Sequence, residues 1–265
     1  MEQEDQKIPT VAELAAQGKS PEVLFWVGCA GSFDDRSKRV TRAFVKILQV
    51  LNINFAVLGT EEGCTGDPAR RAGNEFLFQV QALNNIQVLN GYNIRTIVTT
   101  CPHCFNTIKN EYPQLGGNYS VEHHSTFLQR LIREGRIVLK EGGSFQGRRI
   151  TYHDSCYLGR ANQVYEAPRD VLAALDADLV EMKRSKSRGL CCGAGGAQMF
   201  KEPERGKKDI NVERTDEALE TGADTIAVAC PFCMTMMRDG VKAREKEATV
   251  SVKDIAELIA ERQGL

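Results

Sequence analysis

The stretch "TIAVACPFCMTMM" at residues 225–237 repeats, almost position for position, "TIVTTCPHCFNTI" at 96–108. In both, a short β-branched run ends on a CPxC pair and passes into an apolar, helix-compatible segment. The correspondence extends outward to Cys29, Cys64, Cys101 and Cys104, which align with Cys156, Cys191, Cys230 and Cys233. The offset is 127 for the first two pairs (156 − 29, 191 − 64) and 129 for the last two (230 − 101, 233 − 104). The flanks agree as well, since "SVEHHSTFLQRLI" at 120–132 parallels "VSVKDIAELIA" at 250–260. The chain is therefore an internal duplication.

Each copy alternates β-rich runs with helical periodicity. The first offers "VLFWV" (23–27), "FAVLG" (55–59), "TIVTT" (96–100) and "SVEHH" (120–124); the second offers "RITYH" (149–153), "DLVEM" (178–182), "TIAVA" (225–229) and "TVSV" (249–252). Between them Val40, Ala43, Phe44, Ile47, Leu48 and Leu51 recur at helical spacing, as do Phe76, Val80 and Leu83, and then Val171, Leu172 and Leu175. These stripes are expected to be ordinary core. The alternation predicts an α/β fold of two tandem pseudo-repeated domains, each a small, mostly parallel sheet flanked by helices. Gly135, Gly142, Gly143 and Gly147 loosen the stretch before Thr151, which places the junction there. The expected division is an N-terminal extension 1–20, a first cysteine-rich repeat 21–146 and a second 147–265.

Composition narrows the function. Of 265 residues 42% are apolar, enough for a sizeable core, and 34 Lys and Arg against 35 Asp and Glu give a formal charge of −1. No global field recruits nucleic acid or an anionic membrane. The acidic start "MEQEDQKIPTVAELAAQGKS" has no basic region followed by an apolar one, and no run approaches the roughly 20 residues of a membrane helix. A cytoplasmic, soluble chain without its own membrane span is expected.

Nine cysteines are then the anomaly. In a reducing compartment, patterned cysteines are metal ligands or redox groups more often than disulfides. Each set follows the carboxyl ends of predicted strands, the edge where loops of an open α/β sheet converge on a crevice. Four converging thiolates suit zinc or an iron–sulfur cluster. Neither the paired knuckles of a zinc ribbon nor a compact CxxCxxC run is present. A thioredoxin-like reading of CPHC or CPFC leaves the other register-matched cysteines unexplained. The second copy adds Cys192 beside Cys191 in "CCGAGGAQMF" (191–200), whereas the first has Thr65 in "CTGDPARRAG" (64–73). Adjacent residues rarely aim both side chains at one small ion, so five thiolates suggest a multi-iron cluster. Gly193, Gly195 and Gly196 let the backbone wrap closely around bulky sulfide.

These motifs, together with "HDSCYLGR" (153–160) and "LCCGAGG" (190–196), resemble the cysteine-rich CCG-domain family typified by the cysteine-rich component of heterodisulfide reductase. Related modules occur in iron–sulfur subunits of glycolate, lactate and glycerol-3-phosphate oxidising complexes. The resemblance covers nearly the whole chain from Cys29. It implies a noncubane [4Fe–4S] cluster bound by Cys156, Cys191, Cys192, Cys230 and Cys233 beside Gly193, used in electron transfer. The first copy lacks the fifth thiolate, so Cys29, Cys64, Cys101 and Cys104 are expected to hold zinc, a conventional iron–sulfur cluster, or one in which oxygen replaces a sulfur. The alternatives are a module with two structural zincs and a heterodisulfide reductase-type catalytic subunit.

The remaining candidates are individual side chains. His103, inside a CPxC turn, can donate a hydrogen bond that tunes the first site. His153 is a candidate proton relay, with a packed strand histidine as the plainer reading. His123 and His124 could face the first site or be satisfied core residues. Arg70, Arg71 and Arg160 could offset cluster charge or belong to a solvated face. No GxGxxG or GxxxxGK[ST] accompanies them. The chain is therefore expected to act as an electron-transfer subunit whose partner, a ferredoxin-like or membrane-bound iron–sulfur protein or a flavoprotein dehydrogenase, holds the substrate chemistry and any membrane association.

Overall fold

The predicted runs build two four-stranded sheets, seen in a computed structural model that describes residues 7–139, 143–202 and 206–265. Gly142 and residues 1–6 of the N-terminal extension lie outside the described residues. The first sheet contains β1 (Val23–Trp26), β2 (Phe55–Ala56), β3 (Thr96–Thr99) and β4 (Ser120–His123) in the order β2-β1-β3-β4. The second contains β5 (Arg149–Tyr152), β6 (Asp178–Leu179), β7 (Thr225–Val228) and β8 (Ser251–Asp254) in the equivalent order β6-β5-β7-β8. Every pairing is parallel, with Trp26 opposite Thr99 and Tyr152 opposite Ala227 at the carboxyl ends of the central strands. The central strands β1 and β7 are buried throughout, as a sheet covered on both faces requires.

The helices are α1 (Val11–Ala16), α2 (Gly28–Phe33), α3 (Asp35–Val50), α4 (Asp67–Arg71), α5 (Glu75–Gly91), α6 (Pro102–Asn106) and α7 (His124–Arg133) in the first half. The second half adds α8 (Cys156–Gly159), α9 (Glu166–Ala173), α10 (Ile210–Leu219), α11 (Pro231–Ala243) and α12 (Ile255–Gln263). The stripe on α3 is core as expected: Val40, Phe44, Ile47 and Leu48 are buried, and Asp34 caps the helix by accepting from the Ser37 amide at 2.7 Å. Val171, Leu172 and Leu175 are buried too.

The expected stripe on α5 is overturned. Phe76, Val80 and Leu83 are 80%, 40% and 49% exposed, while Phe78, Ala82, Ile86 and Leu89 face the core. This helix is apolar on most of its circumference, so two faces satisfy the same periodicity. Phe78 wins because it fits against the Cα of Gly66, where an added Cβ would stand 2.8 Å from the ring.

The two sheets share one continuous apolar core. Polar side chains bind the seam between the halves. Arg36 makes a bidentate pair with Glu257 at 2.6 Å on both arms, Gln129 and Arg133 reach Asp170, and Asn162 bonds Asn106 and Asn110. His123 and His124 lie fully buried in this seam rather than at a cysteine site. His124 Nε2 is 2.8 Å from Asp254 Oδ1, and its Nδ1 is 3.2 Å from His123 Nε2.

Candidate metal centres

In each sheet the chain reverses direction between the two central strands, β1 and β3 or β5 and β7, and the crevice beyond their carboxyl ends is the natural place for a ligand. Cys29 and Cys156 open the helices that follow β1 and β5, and the CPxC pairs follow β3 and β7. Pro102 and Pro231 stand at the starts of α6 and α11, where a missing N–H costs nothing. Cys64 and the Cys191–Cys192 doublet arrive from the loops after β2 and β6.

In the first site, the Cys29 turn is pinned by Glu62, whose carboxylate accepts the amides of Val27 at 3.0 Å and Gly28 at 2.5 Å. Burial pushes the Glu62 carboxyl up to about 7 against those two bonds. The Cys29 thiol donates to Cys64, which lowers Cys64 to about 6, and the Gly66 amide adds a bond to the same sulfur at 3.5 Å. Thr65 donates its hydroxyl toward Cys104 Sγ at 3.8 Å. Asn85 and Tyr112, neither singled out by the sequence, frame this turn: Asn85 donates to the Cys64 carbonyl at 2.9 Å, and the Tyr112 hydroxyl donates to the Thr65 carbonyl at 3.2 Å.

The second site repeats the turn with one more sulfur. Cys156 and Cys191 Sγ are 4.0 Å apart, and Cys192 Sγ is 3.4 Å from Cys233 Sγ. Hydrogen bonds from Cys156 and Cys192, joined by the Gly193 amide at 3.3 Å, hold Cys191 far below the usual thiol range. Gly193 has φ +92°, matching Gly66 at +88°, so both turns need the left-handed backbone that glycine adopts freely. Burial works against ionising Cys230, yet hydrogen bonds from Cys233 and from His103 of the first half hold it well below the usual value. Ionisable thiols grouped at this density are a soft-metal donor set.

His153 settles what else the second site offers. It is fully buried, a ring nitrogen lies within 4.8 Å of the sulfurs of Cys192 and Cys233, and Arg214 Nε donates to its Nδ1 at 3.0 Å. Arginine only donates, so Nδ1 is the acceptor and Nε2 carries the hydrogen. Burial, then the Arg214 charge, push the imidazole down to about 3. Nε2 has no partner in the protein. This corrects the proton-relay expectation: a neutral ring with arginine at its back is a fixed N–H donor. Arg214 is itself buried, bonded to Glu217 and the Arg184 carbonyl, and its distance in sequence from His153 hides the pairing.

The other arginines do not face the sulfurs as free charges. Arg70 and Arg71 both bind Glu111; Arg70 also pairs with Glu75 and Arg71 with Asp67, while Arg160 bonds the Gly189 carbonyl. His103 departs most from expectation. Its Nδ1 is 2.9 Å from Asp67 Oδ2, its ring stacks on Tyr157, and its hydrogen bond to sulfur is to Cys230 of the other half.

The Cysteine-rich domain family matches the chain twice, at residues 23–109 and 150–238. The "EtfAB:quinone oxidoreductase" of Syntrophomonas wolfei is 46% identical over 93% of this chain, and the "Probable iron-sulfur-binding oxidoreductase FadF" of Bacillus subtilis is 45% identical over 97%. The chain spans only 35% and 36% of those proteins. A component of the dihydromethanophenazine:CoB–CoM heterodisulfide reductase of Methanosarcina barkeri is 34% identical over 92% of this chain and 59% of its own length. With both halves matched and each cysteine set at the end of its sheet, the chain belongs to the Cysteine-rich domain family.

Proposed function

We propose that the chain is the iron–sulfur electron-transfer part of a multi-subunit oxidoreductase, organised as a segment 1–20 and two cysteine-rich units, 21–146 and 147–265. The observation that carries this reading is the gathering of five cysteine sulfurs at one sheet edge beside the unpartnered buried N–H of His153. Cys156, Cys191, Cys192, Cys230 and Cys233 would hold a noncubane [4Fe–4S] cluster, with Gly193 giving the turn its shape and an amide donor. Cys29, Cys64, Cys101 and Cys104 would hold zinc or a second iron–sulfur cluster. A cluster so bound supplies reversible one-electron storage.

The protein's contribution is to bring ionised thiols together, to satisfy them with amide and imidazole donors, and to shield the inner cysteines. Cys101, Cys104, Cys192, Cys230 and Cys233 are buried, whereas Cys29, Cys64, Cys156 and Cys191 are half-buried and give each site an outward edge. A partner holding substrate or quinone chemistry, either another iron–sulfur protein or a flavoprotein, would exchange electrons there. The names of the relatives support such a partner. Among the described residues no helix is long and apolar enough to cross a membrane. We place the chain in the cytoplasm, with membrane contact made through the partner.

Anaerobic purification with iron, sulfide and zinc measured per chain tests the proposal. We expect a brown protein with iron and acid-labile sulfide in similar amounts and a paramagnetic signal on reduction or oxidation. A colourless protein holding zinc in both sites overturns it.

A further inference from the structure

The His103 ring sits between the two cysteine sites. It belongs to the first CPxC turn, yet it stacks on Tyr157, the neighbour of Cys156, at 4.1 Å between centroids and 28° between planes. Phe232, inside the second CPxC turn, packs 4.8 Å from it, and the ring is only 5% exposed. Asp67, buried and already accepting from Arg71 at 3.1 Å, takes Nδ1 at 2.9 Å. Burial opposes ionising this carboxyl, but the bonds from His103 and Arg71 keep it below the usual carboxylate range, so it accepts the Nδ1 hydrogen. Nε2 is then the nitrogen left for the Cys230 sulfur.

We propose that His103 of the first repeat donates Nε2–H to the Cys230 thiolate across the seam, so that a first-repeat side chain sets the reduction potential of the second site. The inference rests on the reading that the second site holds an iron–sulfur cluster. An N–H donor draws charge from the sulfur and favours the state with the extra electron, which raises the potential. The arrangement is one-way. Phe232 occupies the register position of His103 in the second repeat and has no donor to return to Cys101. Asp67 is the positioning residue: it fixes which nitrogen faces Asp67 and which faces the sulfur.

The test uses the full chain loaded anaerobically, with iron and sulfide measured first and the midpoint potential of the second site then followed by paramagnetic resonance. Absence of iron in the wild-type protein overturns the cluster reading itself, before any variant is compared. With the cluster present, His103→Phe is expected to lower the equilibrium constant for reduction of the second site about tenfold, which is about 59 mV for a one-electron couple. His103→Gln keeps an N–H donor and should recover most of that shift. Asp67→Asn leaves the ring and every cysteine in place, so it serves where the phenylalanine variant loads poorly, and should shift the second-site potential in the same direction by a smaller factor. An unchanged potential in both the phenylalanine and Asp67→Asn variants at full iron content overturns the proposal. So do equal shifts in the phenylalanine and glutamine variants.

Discussion

The CTG turn of the first half and the CCG turn of the second are nearly the same piece of backbone. Gly66 and Gly193 share a left-handed φ of +88° and +92°, and their amides donate to Cys64 and Cys191 at 3.5 and 3.3 Å. Thr65 Oγ1 approaches Cys104 Sγ to 3.8 Å where Cys192 Sγ approaches Cys233 Sγ to 3.4 Å. The middle residue thus points at the same inner cysteine in both repeats, and only its terminal atom differs. Beyond the glycine the two diverge, since the first half enters α4 at once while the second passes through Gly195 and Gly196 to a short 3-10 turn, Gln198–Phe200. A duplicated scaffold has kept its geometry and changed its donor chemistry at one position.

The comparison can be broken most severely at the doublet. Cys192→Ser is expected to abolish the electronic signature of the second site while metal remains in the first, as metal content and paramagnetic resonance would show; a normal spectrum would remove the five-thiolate arrangement. The reciprocal change sharpens it. In a Cys192→Ser background, Thr65→Cys should add iron to the first site on anaerobic reconstitution, because the new thiol arises where the hydroxyl already faces Cys104. If iron content and spectrum stay fixed, the loop after the glycine, and not the missing thiol, decides what the site holds.

The smallest effect separates the two glycines. Gly66→Ala meets the left-handed penalty and a 2.8 Å overlap with Phe78, and should cost about 2–4 kcal/mol. At Gly193 the nearest atom to an added Cβ is Ile210 Cβ at 3.2 Å, and alanine should cost about 1–2 kcal/mol. Urea midpoints of the two variants at equal metal content, compared with wild type, would reverse the ranking if the turns were not built alike.

The strands and the parallel architecture were readable because each β-branched run stops at a cysteine and each is written twice. Periodicity could not choose a face for α5, where Phe76 and Phe78 are equally apolar and only Gly66 distinguishes them. Local pattern also misassigned the histidines. His103 reads as a tuner of its own turn, but its sulfur partner is Cys230, on the other repeat, and its carboxylate is Asp67, far back in the chain. His153 reads as a relay until Arg214 is seen behind it. In each case the deciding neighbour comes from packing two halves or two distant elements together, and no spacing within one segment encodes it. The pairing of Arg70 and Arg71 with Glu111 escaped notice for the same reason.

The link between His124 and Asp254 has a consequence for how such a chain can be inherited. Asp254 caps α12 by accepting from the Ala256 amide at 2.9 Å, and His123, its register counterpart, accepts from the Ser125 amide to cap α7. His124 joins the two caps, bonding His123 on one side and Asp254 on the other, with all three side chains excluded from water. Excising either repeat would leave the other with a polar group stripped of its partner at a helix start that was built to be dry. Recombination that shuffles one repeat alone is therefore penalised at the level of folding, and the two copies descend together as an obligate pair even while their metal chemistry drifts apart.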